Sequence, residues 1–191
     1  MDDQTVEIRW HGRAGQGVVT ASELLAEAAL DEGKYFQALP EFGAERTGAP
    51  IRAYTRISSQ PLRLHSYITD PNVVVVLDSS LIGQVDVVEG LREEGAIVVN
   101  TSLSPQEVRD LLGFRGGKVY TVDATRIALD TIGRNIPNAP ILAALLEAVP
   151  VLHAESALRC LQARMGSRVG VQVVEANTQA FRRAQKELQA G

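Results

Sequence analysis

The sequence predicts an α/β fold, with a doubly wound, mainly parallel sheet, one antiparallel hairpin excursion and a helical C-terminal region. Residues 6–32 are typical of a strand, a tight turn and a helix in succession. A continuous apolar run at residues 73–77 is typical of a strand that is buried on both faces. Strand and helix patterns alternate as far as Asp123, and the pattern of the chain after Asp123 is mostly helical.

The first predicted unit is a strand, a glycine turn and a helix. Residues 6–10 alternate apolar and polar side chains, as a half-buried strand does. Residues 12–17 are glycine-rich and predict a turn, and the apolar stripe over residues 18–32 predicts a helix. Gly33 stands where a glycine commonly ends a helix, and Lys34 follows near the negative end of the helix dipole.

An antiparallel hairpin is predicted next. A short strand over residues 35–39 precedes a loop over residues 41–50, which holds two glycines, a proline and three charged residues. Residues 51–58 alternate in polarity and predict a strand. The turn at residues 59–61 then predicts that residues 62–64 return as the second arm of the hairpin.

The rest of the chain alternates strands with helices and then becomes helical. Ser104 and Glu107 form a capping box with Pro105 at the first helical position, which predicts a helix from there to about Leu112. The other predicted elements are strands at residues 73–77, 96–100 and 118–122, and helices at residues 84–94, 141–148, 156–165 and 175–188.

The composition indicates a single domain over residues 1–191. The chain is 45% hydrophobic and 22% charged, which excludes a disordered or collagen-like protein. Its net charge of −4 argues against a nucleic-acid binder, whose affinity depends on basic residues. Cys160 is the single cysteine, so this chain alone builds neither a disulfide nor a thiolate-held metal centre. Since no signal peptide or membrane-spanning segment is visible, we expect a cytoplasmic protein.

The glycine turn is the strongest candidate for a binding site. It lies between a predicted strand and helix, where Rossmann-like sheets bind phosphate through backbone N–H groups and the helix dipole. Its order is G-x-x-G-x-G, not the dinucleotide order G-x-G-x-x-G, and no Gly-Lys-Ser/Thr follows. An acid that would hold a ribose is missing from the second predicted strand, because Glu41 lies beyond Pro40 in the loop. Phosphate binding and a turn that only shapes the backbone therefore both remain open.

Charged residues near the turn each have two interpretations. Arg13 and the arginines of the loop and hairpin either form a positive rim for an anion or cover a solvated strand face. Asp78 and Asp123 each follow a strand, and helix capping is favoured over a ligand contact. His11 is the histidine beside the turn, and no group of residues completes a catalytic set. The loop and hairpin arginines are Arg46, Arg52, Arg56 and Arg63.

Two motifs occur together in this chain: H-G-R-A-G-Q-G at residues 11–17 and P-E-F-G-A-E-R-T-G-A-P at residues 40–50. The pair is far more specific than a glycine pattern alone. Over roughly residues 5–185, the sequence resembles the gamma subunit of 2-oxoacid:acceptor oxidoreductases, with the pyruvate:ferredoxin enzyme as the nearest type. The segments that carry the resemblance are residues 8–34, 38–58, 73–82 and 132–146.

The resemblance implies a role within a larger enzyme. Members of this family oxidatively decarboxylate a 2-oxoacid on thiamine diphosphate, pass electrons through 4Fe-4S clusters to ferredoxin and transfer the acyl group to coenzyme A. In the family, thiamine diphosphate and its Mg lie between the alpha and beta subunits, and the clusters lie on the delta and beta subunits. We therefore expect alpha, beta and delta subunits as partners, ferredoxin reached through the complex, and no catalytic or metal-binding residue on this chain.

The resemblance also implies site residues. The matching domain of single-chain relatives lies near the coenzyme A channel, so the glycine turn is expected to contact the phosphates of coenzyme A. Ala14 stands where the family motif has glycine, and an altered turn is expected if that position needs a positive φ. The expected contact residues are Gly12, Arg13, Ala14, Gly15, Gln16 and Gly17.

The second motif has three interpretations. Glu41, Glu45, Arg46 and Thr47 either bridge to a partner subunit, border the active-site channel or form a plain loop. Substrate choice is not readable from this chain, with pyruvate as the default 2-oxoacid. A free-standing dinucleotide-binding oxidoreductase and a purely structural assembly module remain the alternative functions.

Overall fold

The computed structural model describes residues 5–41, 48–166 and 169–191, which form one seven-stranded sheet and six α-helices. A short 3-10 helix spans Ser79–Leu81. The strands are β1 Thr5–Arg13, β2 Tyr35–Glu41, β3 Pro50–Ser58, β4 Val73–Val76, β5 Ala96–Asn100, β6 Lys118–Val122 and β7 Gln189–Ala190. The helices are α1 Val18–Asp31, α2 Pro105–Leu112, α3 Ala124–Ile132, α4 Asn138–Ala148, α5 Ala154–Gly166 and α6 Val171–Glu187.

The strand order is β2-β3-β1-β4-β5-β6-β7. The central strands β1, β4, β5 and β6 run parallel to one another. Strand β3 is antiparallel to both β1 and β2, and β7 is antiparallel to β6. The α/β class, the mainly parallel centre, the antiparallel excursion and the helical C-terminal region are thereby confirmed.

Both faces of the central sheet are covered. Helices α1 and α3–α6 form one core with the side chains of Val73 and Val75. Helix α2 and the segment after β4 form a second core with Val74 and Val76. The four consecutive valines are explained by this arrangement, because every position of β4 faces apolar neighbours.

The predicted helix at residues 84–94 is wrong. The chain instead forms turns there, with positive φ at Gly83 (85°) and Gly90 (67°). Gly90 lies so close to the neighbouring loop that an added Cβ would fall 2.1 Å from the carbonyl oxygen of Thr69. Asp86 accepts from the backbone N–H of Val88, which is a turn interaction that competes with a helix.

The predicted second arm of the hairpin is also wrong. Strand β3 pairs with β2, from Tyr35 opposite Ser58 to Glu41 opposite Arg52, and residues 62–64 form no strand. A seven-residue partner offers a longer ladder than a three-residue segment that follows a proline. Strand β2 also extends two residues beyond its predicted end, so that Glu41 belongs to the strand rather than to the loop.

Local signals at helix ends are confirmed. Ser104 and Glu107 form the reciprocal capping box at the start of α2. Gly33 has a φ of 70° just beyond α1. Within the described ranges, no helix is both long and apolar enough to cross a membrane.

Candidate functional site

The candidate site lies where β1 and β4 end side by side. The chain leaves β1 towards α1 on one face of the sheet and leaves β4 across the opposite face. Open α/β sheets bind ligands in the crevice that such a reversal creates. The glycine turn follows β1 and Asp78 follows β4, so both border this crevice.

The backbone of the turn depends on two glycines. Gly15 has a φ of 99° and Gly17 a φ of 82°, and no residue other than glycine has a positive φ in the described ranges. Ala14 therefore needs no left-handed conformation, and alanine is accommodated without backbone strain. The altered turn that would follow from a positive φ at this position does not arise.

The other constraint on the turn is close packing. A Cβ added to Gly12 would lie 2.5 Å from Val18 Cγ2, and one added to Gly17 would lie 2.8 Å from Asn138 Nδ2. In contrast, a Cβ added to Gly15 would meet no atom of another described residue within 4 Å. The turn is thus closely packed at Gly12 and Gly17 and open at Gly15.

The side chain of Gln16 connects the turn to the end of β4. Its Oε1 accepts from the backbone N–H of Arg13 at 2.8 Å, and its Nε2 donates to Asp78 Oδ2 at 2.6 Å. Asp78 Oδ1 accepts from the backbone N–H of Ser80 at 3.0 Å, which confirms the capping interpretation. Partial burial opposes the charge of Asp78, but hydrogen bonds from Ser80 and Gln16 and the Arg13 guanidinium outweigh it, so the pKa of this carboxyl is lowered.

The guanidinium of Arg13 is occupied by protein groups. It donates to the carbonyl oxygen of Gly48 at 3.1 Å, to Ser80 Oγ at 3.0 Å and to Gln84 Oε1 at 3.1 Å. Its Nε also lies 3.4 Å from Asp78 Oδ2. Arg13 therefore fastens the turn to two neighbouring segments.

The predicted positive rim is largely neutralised. Arg52 Nε lies 2.9 Å from Glu41 Oε2, and Arg56 Nε lies 2.7 Å from Glu7 Oε1. Arg63 is exposed, and Arg46 lies outside the described residues.

The N–H groups of the turn divide into two sets. Those of Arg13, Ala14 and Gln16 donate to Gln16 Oε1, to the carbonyl of Ala49 and to the carbonyl of Arg13. A second set has no hydrogen-bond acceptor among the described residues and lies at the positive end of the 14-residue helix α1. The groups available to an anion therefore lie in the second half of the motif and in the first turn of α1. They belong to Gly15, Gly17, Val18, Val19 and Thr20.

The two sequence motifs meet at this site. The backbone N–H of Ala14 donates to the carbonyl of Ala49 at 3.0 Å, and the N–H of Gly48 donates to the carbonyl of Ala14 at 3.3 Å. Glu41 lies on β2 and accepts from Tyr54 Oη at 2.6 Å. Burial and the hydrogen bond to Glu41 raise the pKa of Tyr54 to about 12. The residues Glu45, Arg46 and Thr47 lie outside the described residues.

His11 is a buried, neutral residue. Arg9 Nε donates to His11 Nε2 at 3.0 Å. Burial, together with the charges of Arg9 and Arg52, lowers the pKa of His11 to about 3. The ring borders a cavity of about 240 Å³ that Glu41 and Arg52 also line.

The sequence interpretation missed two residues that shape the turn. Ser80 binds both Asp78 and Arg13, and the Asp-Ser-Ser sequence after a strand was an available capping signal. Asn138 packs against Gly17, and no local pattern could reveal that contact.

Together, the open sheet, the crevice at its strand ends and the N–H groups without an acceptor among the described residues define an α/β domain suited to bind an anion. In the ranges that the structure describes, no group of three or more His, Cys, Asp and Glu side chains could hold a metal ion.

The sequence profile of the pyruvate ferredoxin/flavodoxin oxidoreductase family matches residues 7–187, and the chain belongs to this family. It is 47% identical to the pyruvate/ketoisovalerate oxidoreductases common subunit gamma of Pyrococcus abyssi, over 94% of this chain and 97% of that protein. The crystal structure of pyruvate oxidoreductase subunit PORC from Thermotoga maritima superposes with a TM-score of 0.87 at 44% identity, covering 99% of each chain. The predicted class is thus confirmed: the chain is a gamma subunit of a 2-oxoacid ferredoxin oxidoreductase.

The same fold also occurs as one part of a longer chain. The 2-oxoglutarate:ferredoxin oxidoreductase of Magnetococcus marinus, solved with 2-oxoglutarate, coenzyme A and succinyl-CoA bound, superposes with a TM-score of 0.79. The match covers 97% of this chain and 31% of that chain at 20% identity, which shows a shared fold.

Proposed function

We propose that this gamma subunit serves a complex that converts pyruvate and coenzyme A to acetyl-CoA, carbon dioxide and reduced ferredoxin. Alpha, beta and delta subunits would supply thiamine diphosphate, Mg and the 4Fe-4S clusters, because one cysteine on this chain cannot hold a cluster. Pyruvate is supported by the name of the Thermotoga maritima structure. The Pyrococcus abyssi subunit is named as common to pyruvate and ketoisovalerate enzymes, which supports substrate choice by other subunits. The reactants coenzyme A and ferredoxin support a cytoplasmic complex.

We further propose that this chain binds a phosphate group of coenzyme A at the glycine turn. The observation that carries the proposal is the set of N–H groups from Gly15 to Thr20 that have no acceptor among the described residues. They lie at the positive end of α1, beside the open space at Gly15. A phosphate there would gain several hydrogen bonds and the helix dipole, so the residues present fit the group.

The roles of the chain's own residues follow from this placement. Coenzyme A, when bound, supplies the thiol that accepts the acyl group. Gly15 and Gly17 provide the backbone approach, and the N–H groups of Val18 and Val19 face the phosphate. Arg13 does not contact the ligand but holds the turn against residues 48 and 80.

Two glycines at opposite ends of α1 provide the test. Gly15 and Gly33 both have positive φ (99° and 70°), and neither would place an added Cβ within 4 Å of another atom. Gly15→Asp and Gly33→Asp therefore carry similar backbone strain, but only the first puts a carboxylate beside the proposed phosphate. In the assembled enzyme, Gly15→Asp is expected to raise the apparent KM for coenzyme A about tenfold or more, with thiamine content unchanged and Gly33→Asp close to wild type.

A direct binding readout accompanies the kinetics. Coenzyme A is expected to slow hydrogen exchange of the amides at residues 15–20 in the assembled wild-type enzyme, and this protection is expected to be lost in Gly15→Asp. An unchanged KM together with unchanged exchange would contradict the binding proposal and support a purely structural assembly module.

The strand order argues against a free-standing dinucleotide enzyme. Strand β3 lies between β1 and β2, so Glu41 at the end of β2 is about 10 Å from β1 in the sheet. The carboxylate of Glu41 is also engaged by Arg52 and Tyr54. It is therefore not available to a ribose beside the glycine turn.

A further inference from the structure

Asp78 differs from the other aspartate that follows a parallel strand. Asp123 accepts a hydrogen bond from the backbone N–H of Arg126 at 3.0 Å and only caps α3. Asp78 caps the 3-10 helix in the same way, through Ser80, but its second oxygen accepts from Gln16 at 2.6 Å. The second contact reaches the glycine turn.

The orientation of the Gln16 amide is dictated by its two neighbours. The N–H of Arg13 can only donate, so it needs the amide oxygen, and the carboxylate of Asp78 can only accept, so it needs the amide nitrogen. The Gln16 side chain therefore occupies the N–H of Arg13, and that group is not available to a ligand. The N–H groups without an acceptor among the described residues are those of Gly15 and of residues 17–20.

We infer that Asp78 is a positioning residue of the glycine turn: its carboxylate orients Gln16, and Gln16 sets which backbone N–H groups face the ligand. The side chain of Asp78 is 18% exposed and that of Arg13 is 24% exposed, so the ion pair between them, which lies beside the Gln16 contact, is partly buried. The effect on coenzyme A rests on the function proposed above, whereas the effect on the turn does not.

An exchange of the two side-chain types tests the inference. In Asp78→Asn, the oxygen of the new amide keeps the contacts with Ser80. Its NH₂ group then faces the NH₂ of Gln16 and the guanidinium of Arg13, so that donors face donors. In Gln16→Glu, two carboxylates face each other. In the double variant Gln16→Glu/Asp78→Asn, the new carboxylate accepts from Arg13 N–H and from Asn Nδ2, so the contact between residues 16 and 78 is restored with its direction reversed at unchanged net charge, while the Arg13 contact with residue 78 is not.

The first readout is hydrogen exchange of residues 12–17 in the assembled enzyme, measured without coenzyme A. Each single variant is expected to exchange about tenfold faster than wild type, and the double variant is expected to return to within about threefold. Asp123→Asn is the matched control, because it makes the same carboxylate-to-amide change at a helix cap after a parallel strand, away from the glycine turn, and is expected to leave exchange at residues 12–17 unchanged. Unchanged exchange in Asp78→Asn, or a double variant as fast as the singles, would overturn the inference.

The second readout is the apparent KM for coenzyme A compared with kcat. The single variants are expected to raise KM about tenfold with little change in kcat, and the double variant is expected to restore KM. If exchange follows the expected pattern while KM stays constant in all variants, Asp78 positions the turn and the coenzyme A assignment is wrong. If neither KM nor exchange recovers in the double variant, Asp78 acts through a direct contact instead.

Discussion

The sheet has an apolar half, represented by β4 and β5, and a charged half, formed by β1 and β3, and the two are built differently. In β4, and in β5 as far as Val99, both faces are apolar, and the side chains from Val73 to Val76 are at most 2% exposed. In β1, one face buries Ile8 and Trp10, while the other buries Arg9 and His11. The candidate site lies where the charged half meets the apolar half, at the ends of β1 and β4. Buried charge is tolerated in the charged half because each group is held by hydrogen bonds, and the geometry of that half therefore depends on specific partners.

The largest expected effect is a loss of stability in the charged half. Glu7→Ala removes the carboxylate that accepts from Arg56, whose side chain is 3% exposed, and leaves that buried guanidinium without a charged partner, with Gln37 and the carbonyl of Ser66 as its remaining acceptors. We expect a loss of about 4 kcal/mol in the free energy of unfolding, measured by urea denaturation of the purified chain. The double variant Glu7→Leu/Arg56→Met is expected to recover most of the loss. A single variant as stable as wild type would show that the ion pair carries no net stability.

A smaller effect is expected in the apolar half. Val75→Ala leaves a cavity between the sheet and the helices that cover it, because Val75 is fully buried. The expected loss is about 2.5 kcal/mol, by the same denaturation experiment. Since no titratable group is involved, the loss should be the same at pH 5 and pH 8. A loss that varies between these pH values would contradict the division of the sheet into two halves.

The variant with the smallest expected cost near neutral pH separates the two halves by the pH dependence of their stability. His11 has its pKa lowered from 6.5 to about 3, so between these values the unfolded chain binds a proton that the folded chain does not. His11 therefore contributes a loss of stability as pH falls from about 6.5 towards 3. His11→Gln keeps an acceptor for Arg9 Nε and removes the titration, at a cost of about 1 kcal/mol near pH 8.

Denaturation of His11→Gln across pH 4–7 checks this assignment. The free energy of unfolding should depend less steeply on pH than in wild type. The difference in slope should correspond to one proton that wild type takes up at His11 on unfolding and the variant does not. An equally steep dependence would place the acid sensitivity on another group.

The elements that the sequence predicted correctly depend on local patterns. The valine run of β4, the capping box of α2 and the glycine turn after β1 each carry their signal within a few residues. The errors arose where distant segments decide the outcome. Residues 84–94 form turns because Gly90 packs against Thr69, and β2 replaced residues 62–64 because it offers β3 a longer partner.

The sequence by itself determined the α/β class, the position of the glycine turn and the family, because periodicity and motif are properties of neighbouring residues. Only the tertiary structure decided which N–H groups of the turn are open. That outcome depends on Gln16 meeting Asp78, 62 residues further on, and on Asn138 packing against Gly17. Such contacts form when packing brings remote segments together, and the stretch around Gln16 holds no signal for its distant partner.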